Sequence, residues 1–265
     1  MMTVTDSPGI WVYAIVDAGD GLTLPKVAGV AGAEVRTAPL GSVTSAGLTA
    51  VVSDADLAEF GEDALRAHLE DLDWLAAVAQ EHHGVIEAVA QLGTVLPMRL
   101  ATVYASEASM RAALTGSEPG LRAAMGRLRS RTEWGVKGYV AQPKDPAGGT
   151  VPEDSADAGA GMAYLRRRRD ALSAQRESWR GASDGAQAAH AELARHCAAS
   201  RLHPPQSPQL SGRKEAMVLN GAYLLDNDRA AEFSAAVAAL NDSDPRLRLE
   251  LTGPWPPYSF TAADA

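Results

Sequence analysis

His82 and His83 stand side by side, between Glu81 and Glu87. His83 and Glu87 are four residues apart, so on a helix they share a face and could grip one metal ion. Zinc wants four donors, or three and a water, and no third or fourth ligand is spaced to join them. His82 falls on the apolar stripe of its segment and is read as a core or helix–sheet histidine. A metal-dependent enzyme or hydrolase built on His82 and His83 is carried as the lesser alternative.

Three other groupings could do chemistry. Asp54–Asp73 holds eight acids and one arginine, and paired carboxylates can move protons. Most of those acids lie off the apolar stripe, so a solvated, capped helix face is preferred. Arg166–Arg169 is a run of four arginines. Consecutive helical residues point about 100° apart, so the run makes no one-sided phosphate track, and RNA binding is set below intrahelical pairs and partner contacts. Cys197 adjoins His196, but helical neighbours do not face each other, so a buried inert thiol is expected. The chain has no GxxxxGK[ST], GxGxxG or HExxH motif. No catalytic, cofactor-binding or metal residue is assigned.

Two segments are distinctive without being catalytic. Leu96-Pro97-Met98-Arg99 places a cation in an apolar strand, so Arg99 is expected to be buried and paired with an acid or with backbone carbonyls. In Gly253–Phe260, the prolines hold Trp255, Tyr258 and Phe260 extended at low entropy cost. Such aromatics either pack on the chain's own sheet or anchor a partner. The intramolecular role is preferred.

The elements that must position these residues follow from composition and period. The chain has 265 residues, a formal charge of −9, 46% hydrophobic residues and 51 alanines, so helix should predominate. The acidic balance disfavours nucleic acid and anionic lipid as partners, and one cysteine excludes an intramolecular disulfide framework. The opening residues lack a basic region followed by an apolar one, and no stretch reads as a transmembrane helix, so a cytoplasmic chain is expected. Strands are expected at Ile10–Val16, Leu48–Ser53, Val95–Tyr104 and Glu133–Ala141, forming one sheet. One long helix is expected over Asp63–Leu92, with shorter ones at Ser106–Leu114 and Glu118–Ser130. Residues 142–161, with three prolines and four glycines, read as a linker between domains 1–141 and 162–265. The second domain should hold a helical stretch from Met162 to about Ser200, broken at Gly181–Gly185. Strands at Ala216–Leu225 and Leu247–Thr252 and a helix at Asp228–Leu240 complete it. Residues 1–130 carry a net charge of −8 and the rest −1.

In order, WVYAIV, HHGVIEAV, LPMRLATVY, EWGVKGYV, the helix with Met162-Ala163-Tyr164-Leu165, AMVLNGAYLL and LTGPWPPYSF resemble the gas vesicle protein F/L family over nearly the whole chain. LPMR, EWGVK and GPWPPYSF are the most specific pieces. Gly138 stands where the family favours an apolar strand residue, and Leu100-Ala101 where an aromatic-Gly pair is common. The resemblance implies two α+β domains, each a small, mostly antiparallel sheet packed with helices, a ferredoxin-like second domain being one option. It implies a non-enzymatic accessory protein of gas vesicle assembly, without a cofactor. The expected partner is the small hydrophobic shell protein, whose aggregation the protein limits during nucleation; a scaffold among other accessory proteins is the alternative. Pro97, Arg99, Trp134, Lys137, Trp255, Tyr258 and Phe260 are the residues expected to bind a partner or to hold the fold. The expected location is the cytoplasm, in association with the gas vesicle.

Overall fold

The computed structural model describes residues 8–17, 23–40, 47–68, 70–141, 158–207, 213 and 215–261. The chain forms two compact units, Met1–Glu133 with Pro254–Ala265, and Trp134–Gly253. The expected division at 142–161 differs from this. Residues 142–157 lie outside the described ones, and Ala158 already begins a helix.

The first unit is built on β1 (Gly9–Asp17), in which every residue but the last is buried. Burial on both faces explains its unbroken apolar run. β1 is flanked by β3 (Leu48–Ala55) and β4 (Val95–Pro97), and β2 (Arg36–Pro39) pairs with β3. β5 (Val103–Tyr104) also pairs with β1, at Ile10 and Trp11, and all these pairings are antiparallel. The expected single strand Val95–Tyr104 is therefore two. Pro97 has no N–H to continue a ladder, and Ala101 adopts a left-handed φ of 60° that turns the chain.

The expected helix Asp63–Leu92 is also split. α1 (Leu57–Phe60) and α2 (Glu62–His68) precede α3 (Leu72–Ala90). Asp71 starts α3: it is extended, and its carboxylate accepts from the N–H groups of Asp73 and Trp74. A capping aspartate satisfies donors that would otherwise be orphaned, so the chain restarts there. The period ran across the break because Leu65, Trp74 and Val78 face one core, with Trp11, Tyr13, Phe60, Val85 and Ile86. Leu69 and Leu72 fall at the spacing of the apolar stripe, but Leu72 is 75% exposed and Leu69 lies outside the described residues. α4 (Glu107–Gly116) and α5 (Glu118–Leu128) close the unit.

The second unit holds most of β6 (Arg131–Val140), then α6 (Ala158–Leu193), β7 (Ala199–Leu202), β8 (Met217–Asp226), α7 (Ala230–Ser243) and most of β9 (Leu247–Trp255). The strands lie in the order β7-β8-β6-β9, so β6, expected in the first sheet, belongs to the second. A strand's local pattern does not say which sheet receives it. β7, whose first two residues were expected to end the helical stretch, pairs antiparallel with β8. Gly181 and Gly185 do not break α6. A Cβ on Gly185 would lie 2.6 Å from Asp244 Oδ2, so this glycine serves close approach. The core gathers Val136, Leu219, Tyr223, Phe233 and Val237 with Ala186, Ala189 and Leu193 of α6. Gly138 is explained by crowding: a Cβ there would come within 2.8 Å of Leu219 Cβ.

Candidate partner-binding site

His82 is buried in α3, as expected of a core histidine. The Trp11 indole N–H donates to His82 Nδ1 at 2.9 Å, so that nitrogen carries no proton. His82 Nε2 lies 3.2 Å from the Met98 carbonyl and is the protonated, donating nitrogen. Burial lowers the His82 pKa and keeps the ring neutral. With both nitrogens engaged, a metal would have to displace one of these bonds.

Tyr13 stacks on the His82 ring at 5.4 Å. Its hydroxyl accepts from the Val30 N–H and bonds Ser53 Oγ, each at 2.8 Å, and burial pushes the phenol's pKa up. The region around His82 is thus a fully bonded polar seam inside an apolar core, the arrangement in which buried polar groups specify one packing.

The neighbouring His83 points to the tail. Its Nδ1 lies 2.7 Å from the Tyr258 hydroxyl, and the Trp255 and Tyr258 rings flank it at 6.2 and 5.8 Å. Burial, and then the Glu87 and Glu133 carboxylates, push the Tyr258 phenol's pKa up. Glu133 is buried, and its carboxylate accepts from the Ser259 N–H and hydroxyl, both at 2.7 Å. Phe260, Pro256 and Pro257 are buried too. Residues distant in sequence are therefore joined: Met98 to His82, Tyr258 to His83, and Glu133 to Ser259.

The singled-out residues fall in different places. Pro97 is buried at the end of β4 and pairs with Ala14. Tyr258, 38% exposed, and Phe260 hold the tail down, while Trp255 is 42% exposed. Trp134 is half-buried against the second core, and Lys137 is half-buried on β6. Arg99 is a correction. It is exposed and forms no ion pair among the described residues, because the chain has left the strand after Pro97. Its carbonyl does the work instead, accepting from the N–H and hydroxyl of Thr102 and so closing the 98–102 turn.

That turn forms one wall of an apolar groove of about 270 Å³. Trp11 lies in it, Leu65, Trp74, Leu75 and Val78 line the helical side, and Leu100 and Ala101 face them. The groove's charged lining, Glu62 and Arg66, forms an ion pair at 2.7 Å. A second depression shares Glu62, Leu65 and Ala101 and adds Leu57, Phe60 and Val103. Such a surface suits aliphatic or aromatic side chains. Sequence reading missed it, because its residues come from β1, α2, α3 and a turn. The one local signal was the unusual Leu100-Ala101 pair.

The fold matches crystal structures of GvpF proteins. That from Anabaena sp. superposes with a TM-score of 0.62 at 19% identity, covering 98% of each chain. That from Microcystis aeruginosa gives 0.61 at 20% identity, covering 97% of this chain and 100% of the other. In sequence, the chain is 38% identical to gas vesicle protein L of a Streptomyces species over 250 residues, 94% of this chain and 91% of that one. It is 25% identical to gas vesicle protein F2 of Halobacterium salinarum over 254 residues, 95% and 91% of the two chains. The family model for gas vesicle synthesis protein GvpL/GvpF matches residues 9–262, and the chain belongs to that family. Its role is therefore that of a gas vesicle accessory protein. No helix among the described residues is long and apolar enough to cross a membrane.

Proposed function

We propose that this accessory protein works without catalysis, by binding the small hydrophobic shell protein of the gas vesicle and limiting its aggregation during nucleation. The observation that carries the reading is the apolar groove beside Trp11, with its wall set by Met98–Thr102. A subunit that builds a gas-tight wall needs an adhesive apolar face, and a binder that covers part of it opposes premature association. The groove offers apolar area, and the net charge of −8 over residues 1–130 keeps a complex dispersed. The motif residues act through position: His82 holds both Trp11 and the turn that forms the opposite wall.

Co-expression with the shell protein tests this, scored by how much shell protein stays in solution and co-purifies. Leu100→Glu, at a position 36% exposed, should abolish co-purification while leaving thermal unfolding nearly unchanged. Raising salt should weaken the wild-type complex little, because the contact is apolar. If the wild-type protein neither retains nor solubilises the shell protein, direct binding is wrong, and a scaffold role among accessory proteins takes its place.

A further inference from the structure

α6 is 36 residues long, about 54 Å at 1.5 Å per residue. Its second half is packed: Ala182, Ala186, Ala189 and Leu193 are buried at helical spacing. Its first half is not. From Met162 to Arg180, every side chain described is exposed except half-buried Ser178. Two of these exposed residues continue the packed face. Leu172 and Trp179 precede Ala186 and Leu193 at seven-residue steps, so all four lie along one stripe. Leu172 is 48% exposed and Trp179 52%.

The stripe has a charged flank. Arg169 and Arg176 each lie three residues before Leu172 and Trp179, about 60° round the helix, and Arg180 falls on the same side. Leu172, Arg176, Trp179 and Arg180 line one shallow depression. Arg176 and Arg180 have no ion-pair partner among the described residues; Arg169 touches only its neighbour Asp170, at 3.8 Å. Asp170 and Glu177 fall on the opposite face. From 162 to 180, six arginines stand against these two acids, a net of +4.

We propose that the first half of α6 is a docking surface for an amphipathic helix of another protein, one with an apolar stripe and carboxylates along its flank. The partner's apolar residues would cover Leu172 and Trp179, and its carboxylates would meet Arg169, Arg176 and Arg180, as flanking charges do in paired helices. Charge decides the occupant. A second copy of this chain would bring one +4 segment against another. An RNA's phosphate backbone offers no apolar stripe to cover Leu172 and Trp179. This surface is separate from the groove beside Trp11 and stands or falls independently of shell-protein binding.

The test uses the full chain and a fluorescein-labelled, 21-residue designed helical peptide. The peptide has leucine at the core positions and glutamate at the flanking ones; a twin has lysine for glutamate. At low salt, the glutamate peptide should bind at least about tenfold more tightly than the twin. L172A/W179A should weaken binding at least about tenfold, with unchanged circular dichroism and melting. R169E/R176E/R180E alters exposed positions only and should transfer the preference to the lysine peptide. The proposal is overturned if the two peptides bind alike, or if neither variant changes binding. Sedimentation showing a dimer of the free chain that L172A/W179A abolishes would assign the face to self-association instead. Tighter binding of a 20-nucleotide RNA than of the glutamate peptide would assign it to nucleic acid.

Discussion

Tyr258 and Phe260 belong to a tail whose prolines hold aromatic side chains extended; Leu172 and Trp179 stand on a helix rich in arginine. From sequence, both regions are candidates for partner contact. In the structure, the tail is tied to its own unit by Glu133 on Ser259, His83 on Tyr258 and the burial of Phe260. The described side chains in the first half of α6 make no comparable contacts, and Trp179 is left half open. A distinctive motif marks constraint, and constraint is often internal. The tail motif is specific because several buried groups depend on it. The free apolar surface lies in a segment whose composition draws attention for its charge instead.

The largest expected effect would break the tail side of this comparison. Glu133→Ala removes a buried carboxylate that accepts two hydrogen bonds and leaves the Ser259 N–H and hydroxyl without their acceptor. Hydrogen bonds to charged groups contribute about 1.5–3 kcal/mol each and are not additive, so a loss of about 3 kcal/mol is expected. Urea unfolding measures it. If the loss is under about 0.5 kcal/mol, the tail is not held as described, and its aromatics return as candidate partner anchors.

Acid should weaken the same region through His82. Burial makes its folded pKa lower than the unfolded value, so the neutral ring's contribution is complete above about pH 6.5. As pH falls below that, the unfolded state takes up a proton first. Stability then declines until the folded pKa is passed. Unfolding free energies between pH 8 and 5 test this, and His82→Asn should flatten that part of the curve even if it lowers the whole of it. An unchanged slope in the variant would mean that another group titrates.

How much of this was legible in the sequence depends on where the partners lie. β1, β8, α4 and α5 were readable because their signals are local: period, caps and apolar runs. The core place of His82 followed from the stripe. The split at Asp71 was not read, because the hydrophobic period continues across it and a capping aspartate looks like any other acid. The sheet that receives β6 was not legible, since strand pairing is a long-range choice. Arg99 misled because Pro97 ends the strand two residues earlier. At Ala101, an oddity of sequence finds a physical meaning: the residue has a φ of 60°, where glycine carries no Cβ penalty. Ala101→Gly should therefore stabilise the first unit by about 1 kcal/mol, read as a rise in melting temperature. A fall would show that the turn tolerates alanine through packing against the groove.

A smaller effect is expected where the tail meets α3. Tyr258→Phe removes the hydroxyl bonded to His83 Nδ1 but keeps the ring beside His83. The site is partly open to water, which can replace the lost partner, so about 1 kcal/mol is expected. Double substitution with His83→Ala should cost less than the two single losses together, because both remove the same bond. Full additivity would mean that the 2.7 Å contact contributes nothing.

The smallest effect belongs to the other side of the comparison and is the most discriminating. Trp179→Ala deletes one of the chain's five tryptophans. A buried tryptophan removed in this way costs about 3–5 kcal/mol. Trp179 is 52% exposed, so its removal should change unfolding free energy by no more than about 0.5 kcal/mol. Helix propensity sharpens the expectation, since alanine favours helix more than tryptophan does. A melting temperature unchanged or slightly raised, together with lost binding of the acidic helical peptide, would place Trp179 in recognition. A loss of 2 kcal/mol or more would mean that the first half of α6 is covered within this protein itself, and the contrast with the tail would disappear.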